Sequence, residues 1–384
     1  LMDRPGRISA EMLCSAVCRG ALLTLCLAVT GAAQAEGFNQ VVASRFGSAD
    51  VLRLVTESSL PEPGADEVRL RVLTASASFT DVMVRKGLYP GAPGETPLVP
   101  GYDLVGIVDK LGADVTGFAP GQRVAALTVW GAYTEVAIQP AARLVPVPDE
   151  LPDEAAVALI LSYTTAYQML HRVAEVQPGD SALIHGASGA VGTALAQLGR
   201  LEGLNLIGTA SGSKADYVRS LGVQPIDYRT EDFVSRVREL TGGAGVDVVF
   251  DAIGVDNFAR SYEALKPDGR LVTYGLYHAS LTGAPGSSRA LLGEFLRWQW
   301  RRLMWNWFPD QQKTVTFYSI SEMREERPDW FRDDLSQLFQ LAVQGQIKPI
   351  VWKTLPLAEA AEAHRMIENH EVRGKIVLRV ADRE

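Results

Sequence analysis

Cysteine is all but missing from this sequence: Cys14, Cys18 and Cys26 are its only three, so the body from Phe38 to Glu384 has none. That body can form neither disulfides nor a thiolate metal site. A surplus of positive charge is missing too, since the formal net charge is −8, which argues against a general nucleic-acid binder. Low-complexity tracts and internal repeats are absent. The apolar run from Ala21 to Val29 is too short to cross a bilayer. It follows Arg4, Arg7 and Arg19 and precedes Ala33-Gln34-Ala35, the layout of a secretory signal with a small-residue cleavage site. Residues 1–35 are therefore read as a signal-like segment outside the fold, either a cleaved export signal or an upstream extension of a cytosolic protein. With 384 residues at 47% hydrophobic content, the chain can bury a large core, and its length suggests two lobes.

The most informative stretch runs from Gly179 to Gly192 and contains Gly186-Ala187-Ser188-Gly189-Ala190-Val191-Gly192. It joins a short apolar strand to a helix start through three glycines spaced by three, the pattern of a pyrophosphate cradle. Gly186 allows a tight turn, Gly189 lets backbone N–H groups approach phosphates, and Gly192 lets the helix pack closely on the strand. Ser188, Ala190 and Val191 complete the cofactor-binding loop. Apolar stretches recur at Asn205 to Thr209, Val246 to Asp251 and Gly269 to Tyr274, with helical patterns between them. That alternation predicts an α/β fold with a doubly wound parallel sheet.

Binding sites for NAD place a carboxylate about 20 residues past the glycines, on the ribose 2′-hydroxyl. None stands here. The sequence reads Thr209-Ala210-Ser211-Gly212-Ser213-Lys214, and the hydroxyl of Ser211 with the ammonium of Lys214 suits a 2′-phosphate, so NADPH is the expected cofactor. Lys214 also reads as a solvated residue on the first turn of the next helix. Tyr228, in Ile226-Asp227-Tyr228-Arg229, is placed to reach the adenosine phosphate or to be an ordinary strand-end tyrosine. An exported enzyme would lack the usual NADPH supply, and no twin-arginine pair is visible, so a cytoplasmic location is favoured over export.

Before the nucleotide lobe, short β-type runs at Gln40 to Ser44, Glu67 to Leu73, Leu104 to Lys110, Arg123 to Leu127 and Tyr133 to Ile138 are punctuated by Pro and Gly. A helical segment from Asp153 to Leu170 bridges this β-rich lobe to the next. Several motifs now fall into place together: Arg45-Phe46-Gly47, Thr80-Asp81-Val82, Arg85-Lys86-Gly87-Leu88-Tyr89-Pro90, Pro100-Gly101-Tyr102-Asp103-Leu104-Val105-Gly106, Thr165-Ala166-Tyr167 and the glycine loop. With them the chain resembles the medium-chain dehydrogenase/reductase superfamily, in its zinc-independent quinone oxidoreductase branch, over nearly everything after residue 37. Gly189-Ala190 stands where that branch has two adjacent glycines. Gly208-Thr209-Ala210-Ser211, Ile226-Asp227-Tyr228 and Gln344-Gly345-Gln346-Ile347-Lys348-Pro349 are similar to the vesicle amine transport protein homologues. The resemblance implies a GroES-like catalytic domain at 38–164, completed by 321–384, and a Rossmann domain at 165–320. Ile376-Val377-Leu378 would be the returning strand. A homodimer is likewise implied.

Zinc members of the superfamily use cysteine, histidine and carboxylate ligands at fixed tetrahedral positions. In this sequence Ser78 occupies the catalytic cysteine position and Gly101-Tyr102-Asp103 the Gly-His-Glu element, so no zinc is expected. Without a Lewis acid, activated acceptors are favoured, because a quinone or enone takes hydride into a low-lying π system. The expected reaction is NADPH-dependent reduction of a quinone or related conjugated carbonyl. The same fold also serves enoyl and alkenal reductases, and a membrane-associated protein that binds NADPH without turnover is the rival from another class.

The resemblance points to Tyr89 as hydrogen-bond donor to the acceptor carbonyl, to Thr80 and Asp81 near the nicotinamide, and to Thr165 facing it. Asp81 also reads as a helix cap. Gly254 and Gly275 end strands at the sheet edge where open α/β sheets bind ligands; the resemblance places Lys375 near the cofactor, and a charged strand-start residue is an equal reading of it. Acceptor specificity would reside in loop residues such as Ala279 to Arg289. Four of the seven tryptophans fall in Arg297 to Phe308. A cleft lid or a subunit contact is the favoured reading there, and membrane contact the less favoured one.

Overall fold

The computed structural model describes residues 37–277, 288–307 and 312–381, with the side chains of 288–291 left aside. The signal-like segment 1–35, most of the Ala279 to Arg289 loop, and Phe308 lie outside the described residues. Strands β1 (Phe38–Ala43) and β2 (Leu52–Glu57) form an antiparallel pair at the start. β3 (Glu67–Ala77), β4 (Asp103–Leu111), β5 (Arg123–Leu127), β6 (Val136–Pro140) and β7 (Leu144–Pro146) build the first lobe, with α1 (Phe79–Lys86) directly after β3. The expected strand at Tyr133 to Ile138 begins later, because the Tyr133 amide is taken by the Pro100 carbonyl before sheet pairing with β3 starts at Val136.

The bridging segment contains α2 (Asp153–Ala158) and α3 (Thr164–Gln168), interrupted by π turns at Leu159–Tyr163 and Met169–Val173. Helical periodicity predicts the segment but not the interruptions. The first has a visible cause: the Asp103 carboxylate reaches in from β4 and accepts the Leu161 N–H at 3.3 Å, and a side chain inserted into the backbone ladder widens the helix.

The second lobe is a six-stranded parallel sheet made of β8 (Ser181–His185), β9 (Asn205–Ala210), β10 (Gln224–Asp227), β11 (Val246–Asp251), β12 (Leu265–Thr273) and β13 (Thr314–Phe317). Their spatial order β10-β9-β8-β11-β12-β13 is the doubly wound arrangement, with the switch point beside β8. Helices α4 (Ala190–Leu201), α5 (Ala215–Ser220), α6 (Phe233–Leu240) and α7 (Val255–Ala264) alternate with the strands, and α8 (Ser288–Trp307) precedes β13. α9 (Ile320–Glu326) and α10 (Pro328–Val343) then lead back to the first lobe. There β14 (Val351–Pro356), α11 (Ala360–Glu368) and β15 (Lys375–Arg379) finish the chain's described elements, and β15 pairs antiparallel with β3 as the returning strand.

The tryptophan-rich α8 is two-faced. Trp298 is fully buried against Phe258 and Trp305, while Trp300 is 66% and Trp307 73% exposed. Trp298 therefore belongs to the nucleotide-lobe core and takes no part in a lid, subunit or membrane contact, which the exposed face alone could make. Among the described residues no helix is long and apolar enough to cross a bilayer.

Candidate active site

The glycine loop follows β8 at the carboxyl end of the parallel sheet, where such sheets bind ligands. Gly186 adopts φ +68°, a left-handed conformation that L side chains rarely take. A β-carbon on Gly192 would lie 2.4 Å from the Gly186 carbonyl and 2.7 Å from Ala187 Cα, so only glycine lets α4 pack this close. Gly189 caps α4, with Ala190 and Val191 in its first turn, and the loop is braced from beneath. His185 Nδ1 lies 3.1 Å from the Thr209 hydroxyl and Nε2 3.0 Å from that of Ser261, which donates to the buried Asp251 carboxylate at 2.6 Å. Burial holds the His185 imidazole below its usual pKa. The other Asp251 oxygen accepts the Ile253 N–H at 2.7 Å, which fixes the turn into Gly254. Gly275 packs beside that turn, since its β-carbon would meet Ala252 at 3.1 Å. The sequence reading missed the role of Asp251, whose burial only the sheet reveals.

At the adenosine end Ser211 and Lys214 sit after β9, and Tyr228 after β10 is 52% exposed. The Lys214 ammonium donates to the carbonyls of His370 and Val372, both at 2.7 Å. Burial lowers its pKa, as do the neighbouring charges of Arg373 and Arg229. Three cations thus converge on one corner. Arg373 was missed because 159 positions separate it from Lys214 in the chain, and no local pattern marks it.

On the acceptor side, the Tyr89 hydroxyl lies 2.5 Å from that of the wholly buried Tyr102, and burial raises both phenols. Thr165 is buried in α3. Thr80 belongs to the first turn of α1, and its hydroxyl oxygen is buried without a hydrogen-bond partner. Asp81 is buried too, and it accepts the Ser78 N–H at 2.7 Å as a cap of α1, the second of the two readings the sequence allows. Lys375 starts β15, the strand-start position that was one of its two readings. Its neighbour Gly374 does donate to the Ser188 carbonyl of the glycine loop at 3.1 Å, but the ammonium points into the first lobe. There it donates to Ser78 Oγ at 2.6 Å and Ser162 Oγ at 3.4 Å, and faces Asp103 at 3.8 Å. The two lobes also touch through Phe79 and Tyr277, whose ring centroids are 4.1 Å apart.

Burial and the facing Asp103 charge push Asp81 up to about 7, against the pull of Lys375. Asp103 is itself raised by burial, with Lys375 opposing. A raised carboxyl holds its proton in the folded state at a pH where the unfolded chain has released it, so this contribution to stability falls as pH rises from about 4 to about 7. Urea melts of wild type and Asp81→Asn should diverge over that window, by at most about 1.4 kcal/mol per pH unit. Parallel curves would refute the assignment.

Among the described residues no three His, Cys, Asp or Glu side chains gather in a group able to hold a metal ion. Residues 64–149 match the alcohol dehydrogenase GroES-like domain, and residues 221–378 match a domain described as zinc-binding dehydrogenase. The 2-haloacrylate reductase of Burkholderia sp is 35% identical over 333 residues, covering 84% of this chain and 93% of the relative. The chain belongs to the medium-chain dehydrogenase/reductase superfamily, in its quinone oxidoreductase-like branch. As a member of that superfamily it is an oxidoreductase. The synaptic vesicle membrane protein VAT-1 homolog of Rattus norvegicus is 33% identical over 348 residues, covering 88% of this chain and 83% of its own. The Escherichia coli quinone oxidoreductase complexed with NADPH superposes with a TM-score of 0.76 at 29% identity, over 89% of this chain and all of that one. This dehydrogenase/reductase therefore shares the GroES-like and Rossmann architecture read from its sheets.

Proposed function

We propose that this protein reduces a quinone or a related conjugated carbonyl with NADPH and without zinc. The observation that carries the reading is the cation corner of Lys214, Arg229 and Arg373 beside Ser211 and Tyr228, at the carboxyl ends of β9 and β10. It suits a phosphorylated ribose, while the glycine loop suits the pyrophosphate because Gly192 lets the amino end of α4, with its free N–H groups, pack directly against the Gly186 turn. When bound, the dinucleotide supplies a hydride. The chain's own residues do the rest: Thr80 and Thr165 flank the place expected for the nicotinamide, and Tyr89, backed by Tyr102, donates to the acceptor oxygen. Overall, hydride and one proton add to the acceptor. Where zinc relatives hold their metal, Ser78 and Tyr102 offer hydroxyls, which suits an acceptor already electrophilic.

Each charge-assisted bond to a 2′-phosphate is worth about 1.5 kcal/mol or more. Arg373→Ala and Lys214→Ala should therefore each raise the KM for NADPH about tenfold, leave that for NADH within about twofold, and so erode cofactor preference. Equal losses for both cofactors would show that the corner does not read the phosphate. The likeness to 2-haloacrylate reductase favours one second reading, an activated alkene as acceptor. NADPH oxidation screened across ortho-quinones, para-quinones, enals and 2-haloacrylates separates the two. Cofactor binding with no oxidation by any of them would reject both and favour the non-catalytic rival.

A further inference from the structure

The sheet that closes the first lobe delivers one ammonium to an unusual address. Lys375 is the first residue of β15 and only 3% exposed. Its backbone neighbour Gly374 touches the glycine loop, yet its side chain runs into the first lobe. There Ser78, Ser162 and Asp103 surround it, from the start of α1, the first π turn and β4. Asp103 is fully buried and also accepts the Ser76 hydroxyl and the Leu161 N–H, so its position is fixed by three elements. The fixed carboxylate attracts the ammonium from 3.8 Å while Ser78 accepts from it at 2.6 Å. Ser78 is half-buried and adjoins Phe79, whose ring meets the nucleotide lobe at Tyr277, so Ser78 stands at the floor between the lobes.

The direction of these hydrogen bonds matters. An ammonium has donors and no acceptor, so Ser78 Oγ accepts from Lys375, and the hydroxyl's own hydrogen remains available. Ser78 also caps α1, where unsatisfied amides carry partial positive charge. A hydroxyl whose oxygen accepts from a cation is a stronger donor than one in water. We propose that Ser78, polarised by Lys375, is a catalytic hydrogen-bond donor to the oxygen on which negative charge grows as the acceptor is reduced, with Lys375 its positioning residue and Asp103 the anchor. This rests on the reading of the reaction given above. It assigns the ammonium the electrostatic duty that a metal carries in zinc relatives, and it adds a second donor to the one proposed at Tyr89.

Among the described residues, Asp103 and Asp81 face this centre, Tyr133 and Arg85 lie against those carboxyls, and no second ammonium is in contact with Ser78. Its test uses the full-length protein with NADP+ and p-nitrophenol, a chromophoric stand-in for a reduced acceptor's oxyanion. Wild type should bind the phenolate and lower the phenol's apparent pKa by about one unit. Ser78→Ala should abolish that shift and lower kcat about a hundredfold while NADPH affinity stays within twofold. Lys375→Met strands the buried Asp103 carboxylate, so Lys375→Arg serves as the conservative variant, and it should retain part of the shift. A wild-type chain that binds p-nitrophenol unshifted or not at all, or a Ser78→Ala shift equal to wild type, overturns the proposal. Absent NADPH oxidation in wild type would instead refute the reaction, because the nitrophenol titration requires no turnover.

Discussion

Gly192→Ala should lower NADPH affinity by about a hundredfold or more, the scale on which misplacing a binding element by an ångström is felt. The added β-carbon would lie 2.4 Å from the Gly186 carbonyl and 2.7 Å from Ala187 Cα, and both atoms are backbone, so no side chain can step aside. Either the amino end of α4 or the turn at Gly186 must move, and those two features form the phosphate cradle. Gly293 provides the control. A β-carbon there meets nothing within 4 Å, so Gly293→Ala on α8 should leave affinity unchanged and stability unchanged or slightly raised. Fluorescence titration with NADPH reads both, and a Gly192→Ala affinity within threefold of wild type would show that the loop does not hold the cofactor.

Trp298→Ala should cost about 3–5 kcal/mol of stability in urea unfolding, as expected for truncating a buried aromatic. Trp298 is fully buried, with the Phe258 ring 4.8 Å away and that of Trp305 6.3 Å away. Its indole nitrogen has no hydrogen-bond partner, an arrangement that itself costs about 1–3 kcal/mol. Trp298→Phe should therefore lose far less than the alanine variant, because it sheds an unsatisfied donor along with some packing. Trp300→Ala, on the exposed face, should be nearly neutral. A loss below 1 kcal/mol for Trp298→Ala would mean that α8 is not part of the core.

Local chemistry made much of this molecule legible. The glycine loop was readable because a tight turn, a close approach and a helix start each demand glycine at a set spacing. Alternating apolar strands and helical patterns gave the parallel sheet, and β5 and β11 stand where their apolar runs begin and end. What escaped was set by distance along the chain. Arg373 joins Lys214 only because the 370–373 loop folds across the nucleotide lobe, and Lys375 reaches Ser78 only through the pairing of β15 with β3. The π turn at Leu159–Tyr163 was equally unreadable, since its cause, Asp103, lies on another strand. Trp298 and Trp300 share composition and sequence neighbourhood, and only the packing of α8 tells core from surface.

The join between β15 and β3 also governs how the protein is made. Ala77 pairs with Ile376, so on a ribosome adding about 5–20 residues per second, Ala77 waits on the order of 15 s to a minute for its partner. β4 and β6 can cover much of β3 early, but the stretch from Thr74 to Ala77 must present unpaired amides and carbonyls on one side throughout. The nucleotide lobe, whose strands all emerge in the meantime, is free to fold first. Synthesis therefore leaves the catalytic lobe as the last part to mature, and a nascent chain stalled before Lys375 would carry a finished dinucleotide fold beside an open, adhesive edge.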